Sequence, residues 1–378
     1  MDCFYPVKVA LPFPRFIDGK MRTHIEVPCG KCAACISHKV QEWSLRLRQE
    51  WKSASSAWFV TLTYRPDYLP FVRADFRHDE DLFKPSRPTQ DIAFVKDKYI
   101  RLSAVMRRAK DIYDSELVSS SPYVVRRLDH ETGEYVYWYA SVWLEDYQLY
   151  MKSLRKYLAK KTGVKDPLRF YLVSEYGGET IRPHYHYILF LHPDVSVTEF
   201  DVKGYCLNVW KYGDIDTIEP LTNGRVAYCA KYSFKSNTLI RTDMPQMVYS
   251  PYKRFIHDGK PICIDNEYWP AMPVFRRMSQ GIGKSFLNDI QCKYIKETKK
   301  SVVRSDGFQF SLPRYYKTKI FDEKELYLQS TKNLSHKYAK ERGDIIKAGS
   351  SEEYQRISSG QKIAFARIFE RKIKKHGI

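Results

Sequence analysis

Two histidines stand two residues apart in RPHYHYILF, residues 182–190. The run is apolar and aromatic, which favours a strand, and residues i and i+2 of a strand share a face. His184 and His186 would then stand side by side. Neutral imidazoles suit a divalent cation, and same-face strand geometry presets two ligands. Composition alone supplies an HxH roughly once in four chains of this histidine content, so for the pair by itself packing is the commoner outcome. Glu175 lies nine residues before His184, near the end of the preceding apolar run. A hairpin brings those strand ends together, so its carboxylate can reach the same cation; taken alone it would be a solvated turn residue. A His₂Glu set leaves coordination positions open, as a catalytic metal requires and a structural one does not.

The second constellation is YCAKYSFK, residues 228–235. Tyr228 and Tyr232 are four apart and on a helix share one face. Lys231 and Lys235 each follow one of these tyrosines by three residues. With 29 Tyr in the chain, about two YxxxY pairs are expected from composition alone, and Tyr64/Tyr68 and Tyr135/Tyr139 are such pairs. The order carries the argument: a metal hairpin first, then a tyrosine-bearing helix with basic companions. A phenol with a pKa near 10 is a weak nucleophile at neutral pH, and nearby cations favour its phenolate. A bound metal polarises a phosphodiester and stabilises charge developing on it. The parts together describe a phosphodiester-cleaving transesterase that forms a phosphotyrosine and frees a 3′-hydroxyl. Two tyrosines on one face would permit a second transfer without release of the DNA.

A third cluster, PCGKCAAC at 28–35, spaces Cys29, Cys32 and Cys35 as C-x₂-C-x₂-C. That spacing suggests metal, and zinc is the first expectation. Structural zinc needs a fourth ligand, for which Cys3, His24 and His38 are candidates. Iron–sulfur ligation would need a remote fourth cysteine, and reduced structural thiols are the plain alternative. A fourth motif is dismissed: GIGKS at 281–285 ends like a phosphate-binding loop, but Met278 stands where the opening glycine belongs and no buried strand precedes it. A turn with a basic contact is expected there, not an ATPase.

These residues need elements to hold them. A helix is expected over 37–54, with Val40, Trp43, Leu47 and Trp51 at helical spacing, and a buried strand over 57–64. Residues 65–142 read as polar, proline-bearing and irregular. A helix over 145–163 is stopped by Gly163. Strands over 168–176 and 184–191 flank the turn GGETIRP and make a hairpin. A weaker strand over 213–221 leads into a helix over 224–235. This order predicts an α+β fold, an antiparallel central sheet with helices packed on one face. Beyond about residue 290 the pattern becomes charged and mainly helical, so the expected division is a domain over 1–290 and a basic helical region over 291–378.

The bulk properties agree with a polyanionic partner. The 378 residues carry a net charge of +19, with 43% hydrophobic and 15% aromatic residues. Residues 291–378 hold 21 Lys and Arg against 10 Asp and Glu, +11 of that total, and end in RKIKKHGI. With 29 Tyr and 20 Phe, nucleic acid is the expected partner. Eight cysteines in a chain this long do not make a disulfide scaffold. The opening MDCFYPVKVALPFPRF lacks the charged-then-apolar pattern of a secretory leader, and no run approaches transmembrane length. The expectation is a reducing cytoplasm and no membrane partner.

On these motifs the chain resembles the replication initiation proteins of the microviruses, particularly the gokushovirus type, and more broadly the HUH endonucleases, metal-dependent DNA nickases. SEYGGETIRPHYHYILF is similar to the glutamate plus histidine-x-histidine motif, and VAYCAKYSFK to the two-tyrosine motif. PCGKCAAC with its following helix, FVTLTY, DYQLYMKSLRK and FRRMSQGIGKSF resemble flanking segments, so the resemblance spans roughly residues 25–290. It implies an HUH core, similar in outline to an RRM. It also implies origin nicking on single-stranded or replicative-form phage DNA, a 5′-phosphotyrosine, and rolling-circle replication with Mg²⁺ or Mn²⁺. Position by position, Glu175, His184 and His186 match the metal ligands, Tyr228 and Tyr232 the nucleophiles, and Lys231 and Lys235 the basic positions beside them. The host's bacterial cytoplasm is the implied compartment, with a host helicase and polymerase as further partners. This chain departs from the pattern in a long insertion, about 71–142. A relaxase or transposase would use the same chemistry. A non-catalytic RRM-like module would share the outline, but needs base-stacking aromatics on an exposed sheet face.

Overall fold

The computed structural model describes residues 3–78, 92–95, 98–112, 115–117, 124–128, 130, 133, 135–177, 182–235, 256–257, 260–261, 263–264, 267–268, 274–298 and 302–374. The chain divides into two compact units, one formed by Met1–Lys52 with Gly281–Ile378 and the other by Ser53–Gln280. The boundary expected near residue 290 falls inside the second stretch of the first unit.

The unit Ser53–Gln280 is built on a five-stranded antiparallel sheet. Its strands are β1 (Ala57–Thr63), β2 (Leu168–Tyr176), β3 (Pro183–Leu191), β4 (Ile215–Pro220) and β5 (Arg276–Met278), and their order across the sheet is β4-β1-β3-β2-β5. β2 and β3 form the expected hairpin, in register from Leu168 opposite Leu191 to Tyr176 opposite Pro183. Helices α1 (Leu144–Thr162), α2 (Glu199–Val209) and α3 (Asn223–Lys235) connect and cover the sheet. Gly163 takes the left-handed conformation after α1 and donates its amide to the Ala159 carbonyl, 2.9 Å away, ending the helix where expected. Thr198 and Asp201 close a capping box at the start of α2.

The α+β class is as expected, but the covering of the sheet is not one-sided. β1, β2 and β3 are buried along almost their whole length. Runs buried on both faces need cover on both. On one face Tyr150, Met151 and Leu154 of α1 and Val202 and Cys206 of α2 join Leu62, Leu172, Tyr185, Tyr187 and Leu189 in the main core. On the other face α3 lays Tyr228 against Phe59 and His186.

The stretch read as irregular is a second correction. Among the described residues it forms a six-stranded antiparallel sheet, in the order Ile92–Val95, Lys98–Arg108, Pro70–His78, Tyr135–Ala140, Val124–Leu128, Ser115–Leu117. Strands such as VVRRL carry charge at positions where an alternating pattern would show apolar residues, so periodicity did not mark them. Arg108, on the longest of these strands, reaches Asp146 at the start of α1 with two hydrogen bonds of 2.8 and 2.5 Å. Asp146 is only 1% exposed, and Tyr64 donates to it from 2.6 Å. A carboxylate this deep requires such partners.

The other unit carries an antiparallel hairpin, Val7–Ile17 with Lys20–Val27, that hydrophobic periodicity did not mark. Its helix Ala33–Lys52 starts four residues earlier than expected. The C-terminal region is mainly helical, with Asp289–Thr298, Arg314–Ile320, Glu323–Ala348 and Ser351–Lys374. A short hairpin, Val302–Ser305 with Phe308–Ser311, interrupts it. The GIGKS segment belongs to this unit and is a turn, as expected. The Gly283 amide donates to the Glu50 carboxylate at 2.7 Å, and its carbonyl accepts from the Tyr316 hydroxyl at 2.8 Å. A β-carbon at Gly283 would meet that hydroxyl at 2.6 Å and the Arg46 carbonyl at 2.7 Å. A phosphate cradle needs free amides; this one is already committed to a carboxylate.

Candidate active site

The hairpin register decides which side chains meet. Glu175 on β2 pairs directly with His184 on β3, and directly paired residues share a face. His186 lies two residues along β3, on that same face. Ligand atoms of Glu175, His184 and His186 all lie within 4.8 Å of one another. Glu175 Oε2 is 3.8 Å from His184 Nε2 and 3.4 Å from His186 Nε2. The two imidazoles stand edge to face at 4.8 Å. Glu175 and His186 are buried, and His184 is partly so.

The protonation pattern of His184 follows from its partner. Its Nδ1 lies 3.0 Å from the Arg182 carbonyl, which can only accept, so Nδ1 carries the proton and donates. Nε2 of the neutral ring is then a bare lone pair turned toward Glu175. His186 Nδ1 is held by Thr61 Oγ1 at 3.0 Å, and its ring stacks on Phe59 at 5.6 Å. A backbone carbonyl or hydroxyl on the far nitrogen is the usual way a metal-binding imidazole is oriented. Two imidazole nitrogens and a carboxylate at these separations fit a divalent cation bound at about 2.0–2.2 Å from each.

The tyrosine helix reaches the same point. Tyr228 Oη is 3.1 Å from His186 Nε2 and 3.2 Å from Glu175 Oε2, to which it donates. Tyr232 stacks on Tyr228 with ring centroids 4.1 Å apart, and its ring lies 6.4 Å from that of His186. Burial, and then the Glu175 carboxylate, push the Tyr228 phenol far above its ordinary pKa. The expectation that neighbouring cations would favour its phenolate is therefore not met by the protein's own groups. Lys231 is half-buried on α3 between the tyrosines. Lys235 is the last residue of α3, and its side chain lies outside the described residues.

The alternative tyrosine pairs separate at this level. Tyr64 is buried in the main core, hydrogen-bonded to Asp146 and to Tyr185. Tyr68 sits in a short helical turn, Pro66–Tyr68, and Tyr135 and Tyr139 lie on a strand of the second sheet. Tyr185 and Tyr187 are fully buried on the sheet face opposite His184 and His186. Thr61, Phe59 and Arg182 join the site without having been expected there. FVTLTY was recognised as a strand, and pairing it against β3 with Thr61 opposite His186 would have found the threonine.

The fold and site thus define an antiparallel-sheet domain with a Glu-His-His set on its two central strands and a two-tyrosine helix laid over it. Residues 138–237, which hold β2, β3 and α3, match the family model of the phage-type replication-associated protein ORF2. The chain is also similar to replication-associated protein ORF2 of Spiroplasma virus 4, 24% identical over 327 residues, covering 83% of this chain and 74% of the relative. Replication-associated protein VP4 of Bdellovibrio phage phiMH2K is 24% identical over 267 residues, 65% of this chain and 74% of the relative. No solved structure matches the chain. These matches bear out the resemblance to microvirus and phage replication proteins read from the motifs.

Proposed function

We propose that this protein is a phage replication initiator of HUH type, a metal-assisted nickase that cuts origin DNA through a tyrosine. The observation that carries the reading is the position of Tyr228 Oη, within 3.2 Å of both Glu175 and His186. A nucleophile and the metal-ligand set converge on one point, so a phosphodiester placed there meets both. A divalent cation, Mg²⁺ or Mn²⁺, held by Glu175, His184 and His186 would polarise the scissile phosphate and offset the charge that Glu175 places beside the phenol. Tyr228 Oη attacks phosphorus, the O3′–P bond breaks, and the products are a 5′-phosphotyrosine and a free 3′-hydroxyl. Glu175 Oε2, already accepting from the phenol, lies in line to receive its proton. Tyr232, stacked directly behind, is placed for the second transfer. Lys231 and Lys235 would supply positive charge at the phosphate.

The family match and both phage relatives support the replication role, and the basic C-terminal region suits a DNA partner. The host's bacterial cytoplasm is the corresponding compartment, with host helicase and polymerase taking over at the freed 3′ end. Among the described residues no helix is long and apolar enough to cross a membrane. A non-catalytic RRM-like role is less well supported, since helices cover both faces of the central sheet and a base-stacking face must be open.

The test is direct. Single-stranded origin DNA incubated with the protein and Mg²⁺ should give an SDS-stable adduct whose tyrosine maps to Tyr228 or Tyr232. Tyr228→Phe with Tyr232→Phe should reduce adduct formation by roughly 10³-fold or more while leaving DNA binding. Persistent adducts in the double variant would refute the assignment.

A further inference from the structure

Four cysteines of the unit Met1–Lys52 with Gly281–Ile378 converge on one point. Sγ atoms of Cys3, Cys29, Cys32 and Cys35 lie within 4.8 Å of one another. Cys3 Sγ is 3.8 Å from Cys32 Sγ, and Cys29 Sγ is 4.0 Å from Cys35 Sγ. Four thiolates placed tetrahedrally about 2.3 Å from one zinc ion have sulfur–sulfur edges of about 3.8 Å. The two observed distances match that edge. A disulfide would need its sulfurs at about 2.0 Å. A cluster with bridging sulfides would need its cysteines spread around several irons, and these surround a single point.

The backbone is arranged for sulfur that carries charge. Amide hydrogens of Lys31 and Cys32 point at Cys29 Sγ from 3.4 and 3.3 Å. The Cys29 amide donates to Cys3 Sγ at 3.2 Å, and the Phe4 amide to Cys32 Sγ at 3.4 Å. Gly30, at φ +75°, makes the turn that lets Cys29 and Cys32 face inward together. Amides donating to metal-bound thiolates are the supporting contacts such sites use. Cys32 and Cys35 are buried, while Cys3 and Cys29 are partly accessible, which leaves an entry path for an ion.

We propose that Cys3, Cys29, Cys32 and Cys35 form a structural tetrathiolate zinc site, with Cys3 as the fourth ligand that spacing alone left open. Its role is to staple the chain start to the helix Ala33–Lys52. Phe4, next to Cys3, packs edge to face on Phe365 of the helix Ser351–Lys374 at 5.7 Å. The ion therefore fixes a small core, Phe4, Cys32, Ala34 and Cys35 with Phe365 against it, that is short of apolar mass by itself. With all four positions taken by protein, no coordination position is left for a substrate.

The full chain, produced in zinc-supplemented medium and purified under reducing conditions, is assayed for metal by mass spectrometry. One zinc per chain is expected, and it should remain when Glu175→Gln, His184→Ala and His186→Ala are combined. Cys3→Ser should weaken zinc binding by roughly two to three orders of magnitude, and Cys206→Ser should leave it unchanged. Cobalt exchanged into the wild-type protein should show the visible absorption of a tetrahedral thiolate ion. Native wild-type protein should also protect four thiols from alkylation until a chelator is added, a readout that needs no variant to fold. Zinc-free protein, zinc that leaves with the Glu175, His184 and His186 substitutions, iron with acid-labile sulfide, or disulfides among these cysteines would each overturn the proposal.

Discussion

Glu175 and His184 are directly paired residues on neighbouring strands, and Glu175 Oε2 faces His184 Nε2 across 3.8 Å. The pairing places a carboxylate and an imidazole on one sheet face, two residues from His186. Ion binding there links to stability, since a cation held only by the folded state raises it by RT ln(1 + [M]/Kd). Mg²⁺ or Mn²⁺ at about a hundred times its Kd should add about 2.7 kcal/mol to wild-type protein. His184→Ala should lose most of that increment, along with metal-dependent nicking. Differential scanning calorimetry with and without EDTA measures the first, and an equal metal effect in both proteins would remove the site.

Arg108 and Asp146 form a buried pair that joins the second sheet to α1. Their side chains are 12% and 1% exposed, and Arg108 also lies over the Trp143 and Tyr212 rings at 4.3 and 4.2 Å. Removing one partner strands the other charge, so Arg108→Ala should cost about 3–5 kcal/mol. Asp146→Asn should cost less, because the amide still accepts from Tyr64. Urea unfolding of the two variants gives the comparison; a loss below about 1 kcal/mol for Arg108→Ala would show the pair is not needed.

Alkaline stability follows from the main core. Burial raises the phenol pKa of Tyr64, Tyr150, Tyr185 and Tyr187 above the ordinary value near 10. The folded state thus holds these groups neutral where the unfolded chain would ionise them. Their contribution is complete below pH about 10 and is lost as pH rises beyond it. Phenolate absorbance from these tyrosines should therefore appear together with the loss of near-ultraviolet circular dichroism. Early ionisation of all four in an intact fold would contradict this.

DNA affinity should depend on salt through the C-terminal helices. Lys332, Lys340, Lys347 and Arg367 are exposed there. Replacing them with Gln should weaken binding to all sequences alike. The slope of log K against log salt should flatten by about 0.7–0.9 for each phosphate that is no longer neutralised. An unchanged slope would assign phosphate binding to other residues.

Local pattern was enough to mark the strands Leu168–Tyr176 and Pro183–Leu191, the helix closed by Gly163 and the tyrosine helix, because each is a short run with a strong period and a clear stop. It also marked Glu175, His184, His186, Tyr228 and Tyr232, since residue type and order along the chain are themselves sequence properties. Tertiary structure decided the rest. Tyr228 and Tyr64 belong to indistinguishable YxxxY pairs until packing sends one to the histidines and the other to Asp146. Thr61 and Cys3 act through partners 125 and 29 residues away, and a one-dimensional period carries no information about such contacts. The second cover on the sheet and the strands between residues 70 and 140 were missed for a related reason. Their burial depends on which neighbour covers them, and only the folded chain brings that neighbour into place.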